Sequence, residues 1–162
     1  GLGDVYKRQP LSPMIEDLIE KFTIKTEKTI HFTTDLKTEK VYADEEFLKE
    51  AISNLIDNAI KYSKESVKIN ISSSSDANHD IINIYDNGIG IPQKDQKKIF
   101  EKFERASAIK QTRKGGPSGF GLGLNYVYQV MEAHEGRVYI NSIEGEFSEF
   151  SLLIPKIIES YD

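Results

Sequence analysis

The sequence predicts an α/β sandwich in which one mixed, mostly antiparallel sheet is covered on one face by helices. Two observations support this fold class. Paired segments of alternating polar and apolar residues predict two β-hairpins, and apolar residues at helical spacing predict amphipathic helices. This mixture of strands and helices favours two packed layers around one core. A chain of 162 residues is long enough to bury such a core.

The predicted domain spans residues 10–156. Residues 1–9 show no periodicity that joins the segment after them, so we interpret them as an expression or sequence-assembly scar outside the fold. Residues 157–162 are interpreted as a C-terminal tail. Apolar residues spaced through 11–22 predict a short amphipathic helix as the first element of the domain.

A long helix is predicted after two short strand candidates. Residues 30–33 and 41–42 are rich in β-branched and aromatic residues, which favour strands. Asp44 can cap the helix that comes next, and Glu45 and Glu46 suit the positive end of its dipole. The apolar stripe of this helix consists of Phe47, Leu48, Ala51, Ile52, Leu55, Ile56, Ala59 and Ile60.

Two hairpins supply most of the predicted sheet. Residues 67–71 and 81–85 alternate as strands on either side of a polar connection. Residues 137–143 and 147–154 form the second pair, which is predicted to turn at Glu144–Gly145.

The composition argues against several classes of protein. The formal net charge of −5 disfavours a nucleic-acid surface, and no apolar run approaches the ~20 residues of a membrane helix, so neither nucleic acid nor a membrane is an expected partner. A chain without cysteine has no disulfide framework and fits a reducing, cytoplasmic compartment. Within this acidic chain, residues 94–114 carry eight basic and three acidic side chains, a local excess of positive charge that suits a triphosphate.

The segment Asn54–Tyr62 places an amide pair on one helix face. At about 100° per residue, Asn54, Asn58 and Lys61 fall within an arc of roughly 60°, opposite the apolar stripe. Carboxamide oxygens suit Mg²⁺, which takes phosphate oxygens as its other ligands, and an ammonium one turn away can meet those phosphates. An amide pair alone would equally be an ordinary polar helix face.

Asp86 stands where a predicted strand ends in the turn Asn87–Pro92. Gly88 and Gly90 allow backbone to approach a ligand closely, and a carboxylate can accept a hydrogen bond from the exocyclic amine of adenine. Taken alone, such a sequence is most often only a turn.

A third signal is the glycine-rich run Gly119–Leu124, which leads into a helix over 123–135 that is predicted to end at Gly136 as a C-cap. Backbone amides at this helix start can face phosphate oxygens. The spacing differs from the G-x-G-x-x-G of dinucleotide folds, and the G-K-S/T of a P-loop is missing.

Together with Phe100–Arg105, these segments resemble the N, G1, F and G2 boxes of the ATP-binding domain of sensor histidine kinases, a resemblance that runs from about Leu11 to Pro155. It implies a Bergerat-type fold and binding of ATP and Mg²⁺. By resemblance, Asn58 coordinates Mg²⁺, Asn54 supports the phosphates and Arg105 reaches the terminal phosphate, so that Arg105, Asn54 and Lys61 are the catalytic candidates. The ATP-binding candidates are Asn58, Lys61, Tyr62, Asp86, Gly88, Gly90, Ile91, Phe103, Gly119, Gly121, Leu122, Gly123, Leu124 and Ser148.

Two positions depart from the pattern of the family that the chain resembles. Phe120 stands where a small or hydroxylated residue is common, which puts a side-chain contact to phosphate there in doubt but not the backbone cradle. Ser148 stands where threonine is usual and keeps the hydroxyl. Residues 107–118 have turn and charge chemistry without a core pattern and are expected to form a lid over the nucleotide.

The three histidines, His31, His79 and His134, lack the surroundings of a phosphoacceptor site. We therefore expect the phosphoacceptor histidine on an upstream dimerisation domain, with a response regulator as an indirect partner. Three alternatives remain open: a serine kinase of the anti-sigma-factor type, a hydrolytic ATPase of the gyrase and chaperone kind, and a nucleotide-sensing module without catalysis.

Overall fold

The computed structural model describes residues 6–99, 101 and 121–156. No helix within these ranges has the length and apolar character of a membrane span. The elements, in chain order, are β1 (Lys7–Pro10), α1 (Leu11–Lys25), β2 (Thr29–Leu36), β3 (Lys40–Ala43), α2 (Glu45–Lys61), β4 (Ser66–Ser75), β5 (His79–Asp86), α3 (93–99), α4 (Gly121–Ala133), β6 (Arg137–Ile143) and β7 (Phe147–Pro155).

One five-stranded sheet, in the order β2-β4-β5-β7-β6, forms the second layer of the sandwich. The β2–β4 pair is parallel and the other pairs are antiparallel, which confirms the predicted mixed sheet and both hairpins. Alternate residues of the central strands are buried, as in Val67, Ile69 and Ile71 of β4, and they form one core with the apolar faces of α1, α2 and α4.

The long helix begins as predicted. Asp44 is its N-cap, and its Oδ1 accepts a hydrogen bond from the backbone of Phe47 at 2.9 Å. The backbone N–H of Asp44 donates to Nε2 of His134, at 3.1 Å, so the start of α2 is joined to the end of α4.

The predicted domain start at residue 10 needs correction. β1 pairs antiparallel with β3 from Lys7 opposite Ala43 onwards, and Tyr6 stacks on His134 with ring centroids 4.6 Å apart. The hydroxyl of Tyr6 also donates to the carbonyl of Ala133 at 2.8 Å. This ribbon is held by backbone pairing and by the aromatic contacts of Tyr6 with Tyr42 and His134 rather than by alternating burial, and for that reason periodicity did not reveal it.

The end of α4 also differs in detail from the predicted glycine C-cap. The left-handed residue is Glu135, with φ 59°, while the backbone N–H of Gly136 donates to Met131 and that of Glu135 to Glu132. These two bonds are the pair that defines a Schellman motif, in which Glu135 holds the position usually given to glycine. Gly136 is required for another reason, since a Cβ there would overlap the carbonyl of Leu153 in β7.

Candidate nucleotide-binding site

A cavity opens between the C-terminal half of α2, the end of β5 and the start of β7. It is lined by Leu55, Asn58, Ala59, Tyr62, Asp86, Gly90, Ile91, Ser148 and Phe150. Six of these residues, contributed by three separated segments, are ATP-binding candidates from the sequence. The fold therefore brings the amide of α2, the Asp86 turn and the hydroxyl of β7 to one place.

Asp86 is a buried carboxylate at the end of β5. Only 7% of its surface is exposed, and Oδ1 accepts a hydrogen bond from the backbone N–H of Gly88 at 2.8 Å. Burial raises the pKa of Asp86 to about 6, against the opposing effect of the Gly88 hydrogen bond. Burying a carboxylate is costly, and buried carboxylates usually have a charged partner. A carboxylate whose pKa is raised by burial in a cavity is therefore a candidate functional residue.

The glycines after Asp86 fit the turn against the protein's own backbone. A Cβ at Gly88 would lie 2.6 Å from the carbonyl oxygen of Tyr62, at the end of α2. Gly90 has φ +72°, and a Cβ there would overlap the carbonyl of Ile143 in β6. Glycine at these two positions lets the turn lie between α2 and the β6–β7 hairpin.

Hydrogen bonds attach this turn to both neighbours. The backbone N–H of Ile89 donates to the carbonyl of Tyr62 at 3.1 Å, and its carbonyl accepts from Gly145 at 2.6 Å. The backbone N–H of Ile91 donates to Ser142 Oγ at 2.8 Å. Gln96 on α3 donates through Nε2 to the carbonyls of both Ile91 and Ser142, at 2.7 and 3.0 Å. Ser142 and Gln96 belong to no motif, and sequence reasoning missed them.

The amide pair of α2 is divided between the cavity and its margin. Asn58 lines the cavity at 8% exposure, and its Nδ2 has no hydrogen-bond partner among the described residues. Asn54 is half-buried beside Gly123, where a Cβ would lie 3.7 Å from Asn54 Oδ1. Lys61 is exposed and 3.9 Å from Asp57. Asn54 and Lys61 therefore flank the cavity on the shared helix face without lining it.

An unpaired amide buried in a cavity fits a site for a polar ligand. A buried donor without a partner costs about 1–3 kcal/mol, a cost that a bound group can remove. The oxygen of the same carboxamide is a ligand type that Mg²⁺ accepts. The carboxamide of Asn58 thus suits the magnesium nucleotide that the sequence predicts, through its N–H donor and its oxygen.

Comparison with known proteins decides the family. The family model described as histidine kinase-, DNA gyrase B-, and HSP90-like ATPase matches residues 43–158. The chain belongs to this family. The sensor histidine kinase WalK of Bacillus subtilis is 32% identical over 149 residues, which are 90% of this chain and 24% of WalK. The adaptive-response sensory kinase SasA of Crocosphaera subtropica is 33% identical over 149 residues, 90% of this chain and 38% of SasA.

Solved structures show the same ATPase-family fold. The catalytic domain of histidine kinase ThkA superposes with a TM-score of 0.76 at 25% identity, covering 93% of this chain and 97% of that one. Full-length ShkA in complex with AMPPNP has a TM-score of 0.77 at 19% identity, over 96% of this chain and 32% of its own, which shows the fold alone. The chain spans about a quarter of the length of WalK and about two fifths of the length of SasA.

The glycine-rich run is described only in part. α4 begins at Gly121, and Leu124 is 1% exposed in the core, so its side chain does not line the cavity. Next to it, Asn125 is buried and its Oδ1 has no hydrogen-bond partner in the described part of the chain. The predictions for Phe103, Arg105, Gly119, Phe120 and the lid at 107–118 lie outside the described residues.

The apolar walls of the cavity were not predicted as site residues, and two of them, Leu55 and Ala59, were predicted in the apolar stripe of α2. Leu55 and Ala59 lie on α2 within one turn of Asn58, and Phe150 follows Ser148 on the same face of β7. Phe150 could have been found from its spacing, because residues i and i+2 of a strand share a face, whereas Leu55 and Ala59, three residues before and one residue after Asn58, were expected on the helix face opposite that amide.

Proposed function

We propose that this chain is the catalytic domain of a sensor histidine kinase, which binds Mg-ATP in the cavity at Asp86 and transfers the γ-phosphoryl group to a histidine of a separate dimerisation domain. The observation that supports it most is the meeting of a buried carboxylate and an unpaired buried amide in one cavity of an ATPase-family fold. WalK and SasA, whose names identify them as sensory kinases, support the class of reaction.

Recognition of the base is assigned to Asp86. Its carboxylate can only accept hydrogen bonds when ionised, and the 6-amino group of adenine is a donor, whereas a 6-oxo purine presents an acceptor there. Tyr62, Ile91 and Phe150 supply apolar surface for the two faces of a purine ring.

Binding of the phosphates is assigned to α2 and the start of α4. Asn58 would hold Mg²⁺, which supplies neutralisation of the phosphate charge. Lys61 is exposed, and within the described part of the chain its one ion pair is a loose surface contact of 3.9 Å with Asp57, so its ammonium is available to phosphate oxygens. By resemblance Arg105 would reach the terminal phosphate, a role that stays a prediction.

The described residues favour transfer over hydrolysis. Asn54, four residues before Asn58, stands where the hydrolytic relatives are expected to carry a water-activating glutamate, and a carboxamide is no base. Both ring nitrogens of His134 are engaged, because Nε2 accepts from Asp44 and Nδ1 donates to the carbonyl of Val130 at 2.8 Å. The proposal also includes a phosphoacceptor on a separate domain and a response regulator that acts after it. The ATP would come from the cytoplasm.

A phosphotransfer assay tests this function. The chain is mixed with labelled Mg-ATP and the purified dimeric phosphoacceptor domain of its cognate kinase. We expect acid-labile, base-stable label on that domain, strongly reduced by Asn58→Ala and unchanged by Asn83→Ala, whose side chain lies in β5 on the sheet face away from the cavity. Fast phosphate release by the chain alone, or acid-stable label on a serine, would contradict the proposal.

A further inference from the structure

Ser142 of β6 lies next to the part of the cavity lined by Asp86 and Ser148, the base end, and its hydroxyl makes three hydrogen bonds. Oγ lies 2.7 Å from the carbonyl of Phe147, 2.8 Å from the backbone N–H of Ile91 and 2.9 Å from Oγ of Ser148. A serine hydroxyl has one proton to donate and two lone pairs to accept with. These three contacts use the whole capacity of Ser142.

The directions of these bonds follow from their chemistry. The carbonyl of Phe147 can only accept, so the proton of Ser142 is donated to it, and the N–H of Ile91 can only donate. The remaining partner, Ser148, must then be the donor in the bond between the two hydroxyls. Ser142 thus directs the proton of Ser148 away from the cavity.

Ser148 lines the cavity opposite Asp86 in the β5–β7 register, and it is 5% exposed. With its proton given to Ser142, it offers only lone pairs to a bound molecule. Asp86, when ionised, also offers only lone pairs. The base end therefore presents two acceptors, an arrangement that matches an amino group with two hydrogens and opposes a carbonyl oxygen.

We propose that Ser142, which is not among the residues lining the cavity, is a specificity-determining residue that fixes Ser148 as an acceptor and so favours 6-amino over 6-oxo purine nucleotides. This inference rests on the proposed binding of ATP at Asp86. It adds a positioning residue from β6 that no motif contains. Gln96 supports the arrangement, because it donates to the carbonyl of Ser142 at 3.0 Å.

The test compares ATP with ITP, whose base carries a carbonyl in place of the 6-amino group. Affinities of the full chain for both nucleotides, with Mg²⁺, are measured by calorimetric titration. Ser142→Ala frees the proton of Ser148, which can then donate to the carbonyl of ITP, so the ratio of ATP to ITP affinity should fall about tenfold. Ser142→Thr keeps the hydroxyl and should retain the wild-type ratio.

If Ser142 had a merely structural role, Ser142→Ala would weaken the binding of ATP and ITP alike and leave the ratio of their affinities unchanged. That result would overturn the inference. Ser148→Ala should lower the ratio as well, and adding Ser142→Ala to it should lower the ratio no further. An equal further fall in the double variant would show that Ser142 does not act through Ser148. Ser151→Ala, which removes a hydroxyl bonded to Asn83 at 2.6 Å on the opposite face of β7, is the matched control.

Two more outcomes separate this inference from the proposed function. If Ser142→Ala fails to fold, Ser142→Cys replaces it, because a thiol is a weak donor and acceptor of similar size, and the same fall in the ratio of ATP to ITP affinity is expected.

A wild-type chain that binds neither nucleotide overturns the proposed function together with the inference. A wild-type chain that binds ATP, with a ratio insensitive to Ser142, overturns the inference alone.

Discussion

The two ends of the cavity differ in how their polar groups are paired. At the base end, Ser142 Oγ is bonded within the protein to both the backbone N–H of Ile91 and the hydroxyl of Ser148. At the end assigned to the phosphates, the phosphate end, Asn58 Nδ2 is buried without a hydrogen-bond partner among the described residues. The hydroxyls at the base end are paired within the protein, whereas the amide at the phosphate end has a donor left over.

This difference assigns the two ends different tasks. Groups that are paired before binding keep a fixed direction, which suits discrimination between bases at little cost in ordering. Unpaired groups gain the most when a ligand arrives, because each removes a desolvation cost that the folded chain already carries. We infer that the base end determines which nucleotide binds and that the phosphate end supplies much of the binding energy.

The largest expected effect tests the rigidity of the base end. Gly90→Ala combines a φ of +72° with overlap of the Ile143 carbonyl and should lower the free energy of unfolding by about 3–4 kcal/mol. Gly145→Ala is the matched control, because its φ of +85° is similar but its Cβ would meet nothing within 4 Å. It should lose only about 1–2 kcal/mol. Equal losses in urea unfolding would show that the turn is not tightly held against β6.

The next effect tests the unpaired amide. Asn58→Leu should weaken Mg-ATP binding about 100-fold, yet leave the unfolding free energy unchanged or raised, because it removes an unsatisfied buried donor. Asn83→Leu should lower the unfolding free energy and leave Mg-ATP binding unchanged, because it breaks the hydrogen bond from Ser151 on the other face of the sheet. Calorimetric titration and urea unfolding of both variants check this. A clear loss of stability in Asn58→Leu would mean that the amide is structurally paired.

A pH series tests the burial of Asp86. The pKa is about 6 in the folded chain and about 3.9 for an unperturbed aspartate, so the folded chain binds this proton more tightly than the unfolded chain. The stability that the protonated group contributes is full below about pH 4 and is lost as the pH rises through 6. Asp86→Asn should therefore be more stable than wild type by about 2 kcal/mol at pH 8, with a gap that narrows toward pH 4. A gap independent of pH would contradict the raised pKa.

The smallest effect concerns the support of the C-terminal end of α2. Lys28 Nζ donates to the carbonyls of Ile60 and Ser63, at 2.6 and 3.0 Å, where α2 ends beside Tyr62. Lys28→Met should lower the unfolding free energy by about 1 kcal/mol and weaken ATP binding a few-fold. Lys64→Met, at an exposed lysine of the same helix end, is the control. If Lys28→Met and Lys64→Met had the same unfolding free energy and the same ATP affinity, the contacts of Lys28 would contribute nothing measurable.

The parts of the fold that were predicted are those with local signals. The helix from Asp44 has a cap and an apolar stripe in consecutive residues, and the hairpins have alternation on both sides of a turn. Asp86 and Asn58 were found because their neighbours form motifs. Each of these signals is contained in one short segment of the chain.

The parts that were missed depend on contacts between distant segments. Ser142 meets Ile91 across 51 positions, and Tyr6 meets Ala133 across 127, and neither pairing leaves a pattern in the sequence. Glu135 in the left-handed position is a similar case, because the close approach of β7 reserves the following position for glycine. The roles of Arg105, Phe103 and Gly119 stay predictions.

The central claim is that the buried carboxylate of this cavity binds the base of ATP, and a calorimetric titration with Mg-ATP at pH 7.5 tests it most directly. The wild-type chain should bind one ATP, and Asp86→Asn, folded and no less stable, should bind at least tenfold more weakly, as expected for a charge-assisted hydrogen bond of ~1.5–3 kcal/mol. Equal affinities of Asp86→Asn and wild type would contradict the claim and remove Asp86 from the site.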